Sequence, residues 1–529
     1  MIDYDIALQQ ALVNGEKRAI AWGNSADAAL QIVKAPYRFE MLIDGLADPH
    51  YNGSEIAGVP IKGSAALDGI DPPDVVIIVF ADAKLFGAEI LQQLTELGFD
   101  QVSLPYSVWY HQSVESSMAA LSPLFAIPPQ PLRTETKKAS LLIHKLVRGG
   151  AEYQICLLAI GLCRIGYEVE LISYAATVKE CEVWETELLQ AGVKRTILPY
   201  CRDCAAQYLT HSEQIDKPVL GVLSGAGYHI YHQLSAHLEQ VNPSLVVGYL
   251  DDANILVSLA ALKAGVPRIV LSGRNAAPVH FPALNTQALS KVAMRAIYQS
   301  LADLPQCRIT NNSVRGARSY EDWLEIEENS IGVITNAVHD FGQPKVDIRQ
   351  RHKIGNNTPL IIGVMRLSEE KRPSLWLESV ARLLTRVAGT AMLIGDGGLR
   401  AELQQQADSL GIGPDRLIFA GVVSNVPDYM QQADLLIHTP REEGTPNVII
   451  EALHYQLPLV TTPAGAIESM LPHTLHEMCM ASNATADEIA EKGAALLNNQ
   501  AFYLSQTRDI TVGSSPQELA IQTCETAVA

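Results

Sequence analysis

A chain of 529 residues is too long for one hydrophobic core, and at roughly 150 residues per domain it predicts three or four lobes, three being the working number. Apolar residues make up 48% and charged residues 18%, so burial can offset chain entropy, which excludes a disordered protein. A formal charge of -19 argues against a nucleic-acid partner, because phosphate binding runs on Lys and Arg displacing counterions.

Eight scattered cysteines, with no basic N-terminal stretch leading into an apolar run, predict a reducing cytoplasmic setting without disulfides. Cys201 and Cys204 have metal or redox spacing, but no second such pair or His pair stands close by, so chance spacing is expected and no metal site. No apolar run reaches the roughly 20 residues that span a bilayer, so any membrane contact is expected to be peripheral.

Short β-type runs alternate with helical-period stretches, which predicts an α/β class of parallel sheets covered by crossover helices. In residues 1–121, "RAIAWGNSADAAL" reads as strand, turn and helix, with "RFEMLIDG" and "DVVIIVF" as further strands of a Rossmann-like accessory domain. The dinucleotide fingerprint wants glycines after Gly23, yet Ser25 and Ala28 stand there, so no dinucleotide is expected. With Asp44 at a strand end and the phrase "GSEIAGVPIKG", this segment resembles the small Rossmann-like domains attached to bacterial sugar-modifying enzymes. Prolines and then polar residues in 122–138 predict a linker without a stable helix.

Residues 139–336 start a fresh doubly wound domain, with strand, glycine loop, helix and strand in "ASLLIHKLVRGGAEYQICLLAIGLCRIGYEVELISY". Residues 337–505 form another, with strands at "PLIIGV", "AMLIGDGG", "RLIFAGVV", "ADLLIHTP" and "LPLVTTPAG". Two such domains in tandem favour a cleft lined by the carboxyl ends of both sheets. Residues 506–529 are a tail that can return as a helix to the first of the two.

The chemistry gathers in "REEGTPNVIIEAL", where Glu443 and Glu451 flank the start of a helix. Pro446 suits a first helical turn, and Asn447 to Leu453 continue it. The helix start and the backbone of Gly444 and Thr445 offer N–H groups to phosphate or sugar oxygens. Eight helical residues rise about 12 Å, so the two carboxylates can accept hydroxyls at opposite ends of one extended ligand. In "GVMRLSEEKRP", Arg366 and Lys371 suit a diphosphate; the alternative is a surface pair bridged to Glu369 or Glu370.

"RLSEEK", "IGDGG", "RLIFAGVV" and "REEGTPNVIIEA", in this order, resemble the retaining family 4 glycosyltransferases of GT-B fold, whose E-x7-E signature the glutamate pair matches. The resemblance covers residues 138 to about 505. It implies two Rossmann-like domains facing a cleft, beside the smaller N-terminal domain. It further implies that Glu443 contacts donor-sugar hydroxyls, that Gly444, Thr445, Pro446 and Asn447 contact sugar and phosphate, and that Glu451 holds the ribose. Arg366 and Lys371 would bind the diphosphate, and the loop after Gly421 would lie near the base. Gly149 and Gly150 of "VRGGAE" match the family's glycine loop.

Many relatives carry a histidine after the strand "PRIVLSG"; here the loop reads "SGRNAAPVHF", with Arg274 and Asn275 at the strand end and His280 beyond. Arg274, Asn275 and Arg295 are candidate acceptor-side residues, with structural roles open for Arg274 and for Arg295 with Tyr298. Asp251 and Asp252 in "YLDDAN" are read as a cap for a helix starting at Ala253 rather than a metal site. The family implies metal-independent transfer, with no cofactor, from a nucleotide-sugar, UDP by preference, to a glycan or lipid-linked acceptor. Capsule or O-antigen assembly at the inner membrane, with assembly partners, is its usual context. Two other readings stay open: a nucleotide-sugar epimerase of the same architecture, and a non-catalytic subunit of a polysaccharide assembly complex.

Overall fold

The computed structural model describes residues 11–23, 32, 38–44, 52–56, 58–71, 74–80, 94–96, 99, 102–103, 118–119, 121–131, 137–147, 149–174, 184–198, 219, 223, 225–280, 291–339, 342–423, 425–441, 443–471, 473–507, 510 and 513–528. Ser25, Ala28, Cys201 and Cys204 lie outside them.

Among the described residues the strands form three sheets. The first has six strands in the order Asn52–Ile56, Val59–Lys62, Phe39–Asp44, Arg18–Gly23, Val75–Phe80, Val102–Ser103, parallel except for its outermost pair. The middle sheet has seven parallel strands, ordered Gly332–Val333, Cys307–Asn311, Ile269–Gly273, Leu245–Tyr249, Lys138–Ile143, Glu168–Ser173, Lys194–Ile197. The C-terminal sheet has five, all parallel: Leu417–Gly421, Thr390–Ile394, Leu360–Val364, Leu435–His438, Leu459–Thr461. The middle strands of each are buried on both faces, which is why they read as unbroken apolar runs instead of alternating ones.

In the middle and C-terminal sheets the strand order reverses at the first strand, Lys138–Ile143 or Leu360–Val364. The loops that leave these strands carry Gly149 and Arg366 respectively, at the switch points where open parallel sheets bind ligands.

The linker expectation needs one correction. Residues 121–125 are helical, and Leu121 and Leu124 are buried in a core that joins one face of the first sheet to the middle lobe. Apolar residues spaced one turn apart found a partner surface that the local composition did not reveal. Past them, Gln130 is tied to the middle lobe, its amide donating to the Gly265 carbonyl at 2.9 Å.

The chain closes on helix Pro516–Thr526, which packs against helix Gly150–Arg164 and adds Leu519 and Ala520 to the middle lobe's core. An added Cβ on Gly161 would stand 1.8 Å from the Pro516 carbonyl oxygen, so glycine there permits the close approach.

Candidate active site

Strand Leu435–His438 ends at a histidine, and the loop beyond it turns back so that Glu443 meets two groups at once. Glu443 Oε1 lies 2.6 Å from Lys371 Nζ and 3.2 Å from His438 Nε2. Burial pushes the Glu443 carboxyl up, but the hydrogen bond and charge of His438 and the charge of Lys371 outweigh it and hold the group below its ordinary range. Lys371 thus pairs with Glu443, not with Glu369 or Glu370. Glu370 instead accepts from the Ser368 hydroxyl at 2.6 Å.

The helix Asn447–His454 follows, with Pro446 as N-cap and no side chain capping its first turn. Across the cleft, helix Gly150–Arg164 starts the same way, with Gly149 as N-cap and again no side-chain cap. The two starts touch: Asn447 Nδ2 donates to the Gly150 carbonyl at 3.2 Å. Each helix start carries roughly half a positive charge, so the pair forms a natural anion seat. Gly444 belongs to the same contact, since a Cβ there would lie 2.9 Å from the Arg274 carbonyl oxygen.

Arg366 stands exposed at the strand end, with its backbone pinned on both sides. The amides of Met365 and Leu367 donate to the carbonyls of Ile394 and Asp396, each at 3.0 Å. Glycines of the "IGDGG" loop permit this, since Cβ atoms on Gly395 and Gly397 would fall 1.9 Å and 2.4 Å from the Met365 and Leu367 carbonyl oxygens. Gly421 ends its strand at φ +68, and its carbonyl accepts from the Gly395 amide at 2.8 Å.

Glu451 sits one turn into its helix, and burial alone pushes its carboxyl up to about 8. Its charge also raises the neighbouring Tyr153 hydroxyl, which burial already drives well above its ordinary value. Tyr153 stacks on Trp184 with centroids 5.0 Å apart.

The acceptor-side candidates separate. Arg274 is buried, with Cζ 4.7 Å from the Tyr249 ring centre and Nη2 donating to Asn336 Oδ1. Asn275 is exposed beside Gly444. Arg295 pairs with Glu325 at 2.7 Å, at the carboxyl end of helix Val314–Leu324. The Asp251 reading is corrected. The helix begins at Asp251 itself, with no side-chain cap from its N-cap residue, and the half-buried Asp251 carboxylate accepts from the hydroxyls of Tyr298 at 2.9 Å and Tyr320 at 2.6 Å. Two tyrosines far along the chain share that carboxylate with the local backbone.

Four contributors escaped the sequence. His438 had a signal, a histidine closing a buried strand just before the acidic loop. Arg372, at φ 47, donates to the carbonyls of Thr439 and Pro440 and so anchors the Lys371 turn to the acidic loop. Gly465, at φ +58, underlies the site: a Cβ there would strike the Glu443 carbonyl oxygen at 1.9 Å. Asn336 had no local signal.

Among the described residues, no group of three or more His, Cys, Asp or Glu side chains could hold a metal ion.

Residues 344–510 match the family of glycosyl transferases group 1. The match is confined to that segment, so the likeness to the family is one of the C-terminal lobe. This segment contains Arg366, Lys371, Glu443 and Glu451. The chain is 31% identical over 354 residues to the Vi polysaccharide biosynthesis protein VipC/TviE of Salmonella typhi, covering 62% of this chain and 59% of that one. The chain therefore spans less than two thirds of that relative's length. It is 26% identical over 322 residues to an alpha-1,4-N-acetyl-D-galactosaminyltransferase of Campylobacter jejuni, covering 60% of this chain and 77% of the relative. In fold it is similar to Anabaena Alr3699/HepE, solved in complex with UDP and glucose, at TM-score 0.54 and 18% identity, over 74% of this chain and 97% of that one. The likeness is one of fold: the C-terminal lobe and the middle lobe make the GT-B architecture, with the N-terminal sheet as an additional domain.

Proposed function

We propose that the protein is a retaining, metal-independent glycosyltransferase of family 4, moving a sugar from a nucleotide-diphosphate donor, UDP by preference, to an acceptor hydroxyl in surface-polysaccharide assembly. The observation that carries this reading is the meeting of two helix starts whose N-cap residues, Gly149 and Pro446, supply no side-chain cap, beside a carboxylate held by Lys371 and His438, with the charge of Arg366 acting on Glu152 at the first of those starts. Cations and helix starts suit the charge that grows on a departing diphosphate, and such stabilisation is usually the largest catalytic contribution. Glu443 suits donor-sugar hydroxyls, and Glu451 suits the ribose.

In the proposed step the bond from the sugar's anomeric carbon to the β-phosphate oxygen breaks and the acceptor oxygen bonds to that carbon on the same face. The acceptor proton passes to the departing phosphate oxygen, and the nucleoside diphosphate leaves. The relatives acting in Vi polysaccharide synthesis and on an undecaprenol-linked glycan support a lipid-linked or polymeric acceptor. A place on the cytoplasmic side, peripheral at the inner membrane, is part of the same proposal. Among the described residues, no helix is long and apolar enough to cross a membrane.

The test is thermal stabilisation of the purified protein by UDP, GDP, ADP and UDP-sugars, followed by product analysis. Stabilisation by one nucleotide and release of free nucleoside diphosphate support transfer. A new nucleotide sugar would identify an epimerase, and failure of every nucleotide to bind would overturn the reading.

A further inference from the structure

Asn336 follows the last strand of the middle lobe, where the chain crosses towards the C-terminal lobe, and it is 1% exposed. Its Oδ1 accepts from Arg274 Nη2. Its Nδ2 donates to the Thr445 carbonyl at 3.1 Å and to Asn447 Oδ1 at 2.6 Å. Gln154, fully buried on helix Gly150–Arg164, grips the next backbone unit: it accepts from the Ala337 amide at 2.8 Å and donates to the Ala337 carbonyl at 2.7 Å. Gln154 also donates to Asn447 Oδ1, at 3.1 Å.

The hydrogen-bond polarity of this network is forced from its ends. A guanidinium has donors only, so the Asn336 oxygen must face Arg274 and its NH2 must face the turn at Thr445. The Ala337 amide likewise fixes the Gln154 oxygen and leaves the Gln154 NH2 for Asn447. Two donors then converge on Asn447 Oδ1, which turns the Asn447 NH2 towards Gly150. The Asn447 oxygen is thus spent on the middle lobe, with one N–H of its NH2 on Gly150.

Arg274 is the costly member. A buried guanidinium facing an amide and a tyrosine ring is expensive where an apolar side chain would pack freely. What the cation secures is the orientation of Asn336. A second line of contact runs alongside, with Thr445 Oγ1 donating to the Asn312 carbonyl at 3.0 Å.

We infer that Asn336, oriented by Arg274 and seconded by Gln154, is a positioning residue that holds the 445–447 turn of the C-terminal lobe in register with the middle lobe. This rests on the glycosyltransferase reading above. Nucleotide binding draws on groups of the C-terminal lobe, while bond breaking needs the anion seat aligned across both lobes. Loss of the network therefore separates turnover from affinity.

The experiment compares wild type, Asn336→Asp and Asn336→Leu in the full chain, by calorimetric titration with UDP and by UDP release from the UDP-sugar that wild type turns over fastest. Asn336→Asp is nearly isosteric and keeps an oxygen on Arg274, but it sets a carboxylate oxygen against the Thr445 carbonyl and Asn447 Oδ1. Both variants are expected to bind UDP within about threefold of wild type and to lose about tenfold or more in kcat, the scale on which small misplacements act. Wild-type kcat in Asn336→Asp, or a proportional fall of affinity and kcat in both variants, overturns the positioning role alone. Absence of both UDP binding and UDP release in wild type overturns the proposed function and this role with it.

Discussion

Glu443, Lys371 and His438 form one cluster, so each substitution leaves a specific group stranded. Glu443→Gln and Lys371→Ala are expected to lower UDP release by about 10²–10³-fold, the range seen when one preorganised electrostatic group is removed. Lys371→Ala also removes stabilisation by UDP in a thermal melt. Arg366→Ala is expected to weaken UDP binding without lowering Tm, because the side chain is exposed.

Glu451 gives a pH prediction. Its carboxyl ionises near the ordinary 4.5 in the unfolded chain and near about 8 in the folded one, so the folded state holds the extra proton between those values. The stability of the neutral buried form is complete below the lower value and is lost as pH rises through the upper one. Glu451→Gln is therefore expected to raise Tm relative to wild type at about pH 8.5 and to leave it unchanged at about pH 4.

The acidic pair and the cationic loop were legible because short spacings placed them at strand ends and a helix start. Asn336 and Gln154 were not: their partners stand 111 and 293 residues away on Asn447, and no local pattern encodes such a meeting.

At the scale of elements, helix starts are set by short-range chemistry. Pro373 and Pro516 occupy first turns, and Ser515 with Glu518 forms a capping box, their bonds measuring 3.2 Å and 2.7 Å. The helix at 251 was misread because a side chain that can cap can equally accept two tyrosine hydroxyls from other elements. The tight seam between helices Gly150–Arg164 and Pro516–Thr526 makes Gly161 a sensitive position. Gly161→Ala must push the last helix outward, and overpacking of this kind costs about 1–3 kcal/mol. The expected outcome is a lower Tm by calorimetry with UDP affinity retained, since the seam lies away from the phosphate seat.

At the scale of the molecule, the alternation of strand and helix announced parallel sheets, but not that the first sheet shares a core with the middle lobe. Leu12, Ala19, Val76 and Leu124 belong to the same buried cluster as Ile255 and Leu259. Deleting residues 1–117 strips one side of that cluster. The expected result is a lower Tm and a tendency to self-associate on gel filtration, with UDP still bound, because the C-terminal lobe has its own separate core.

Two segments near the junction of the middle and C-terminal lobes, at residues 336–338 and at Ser514, lie side by side. Ala337 bridges Ser514, the Val338 amide donates to the Ser514 carbonyl at 3.0 Å, and the Ser514 amide donates to the Asn336 carbonyl at 3.3 Å. Where two crossing segments are hydrogen-bonded to each other, neither can shift alone without breaking those bonds, so the middle and C-terminal lobes are joined by a doubled strap instead of a single thread.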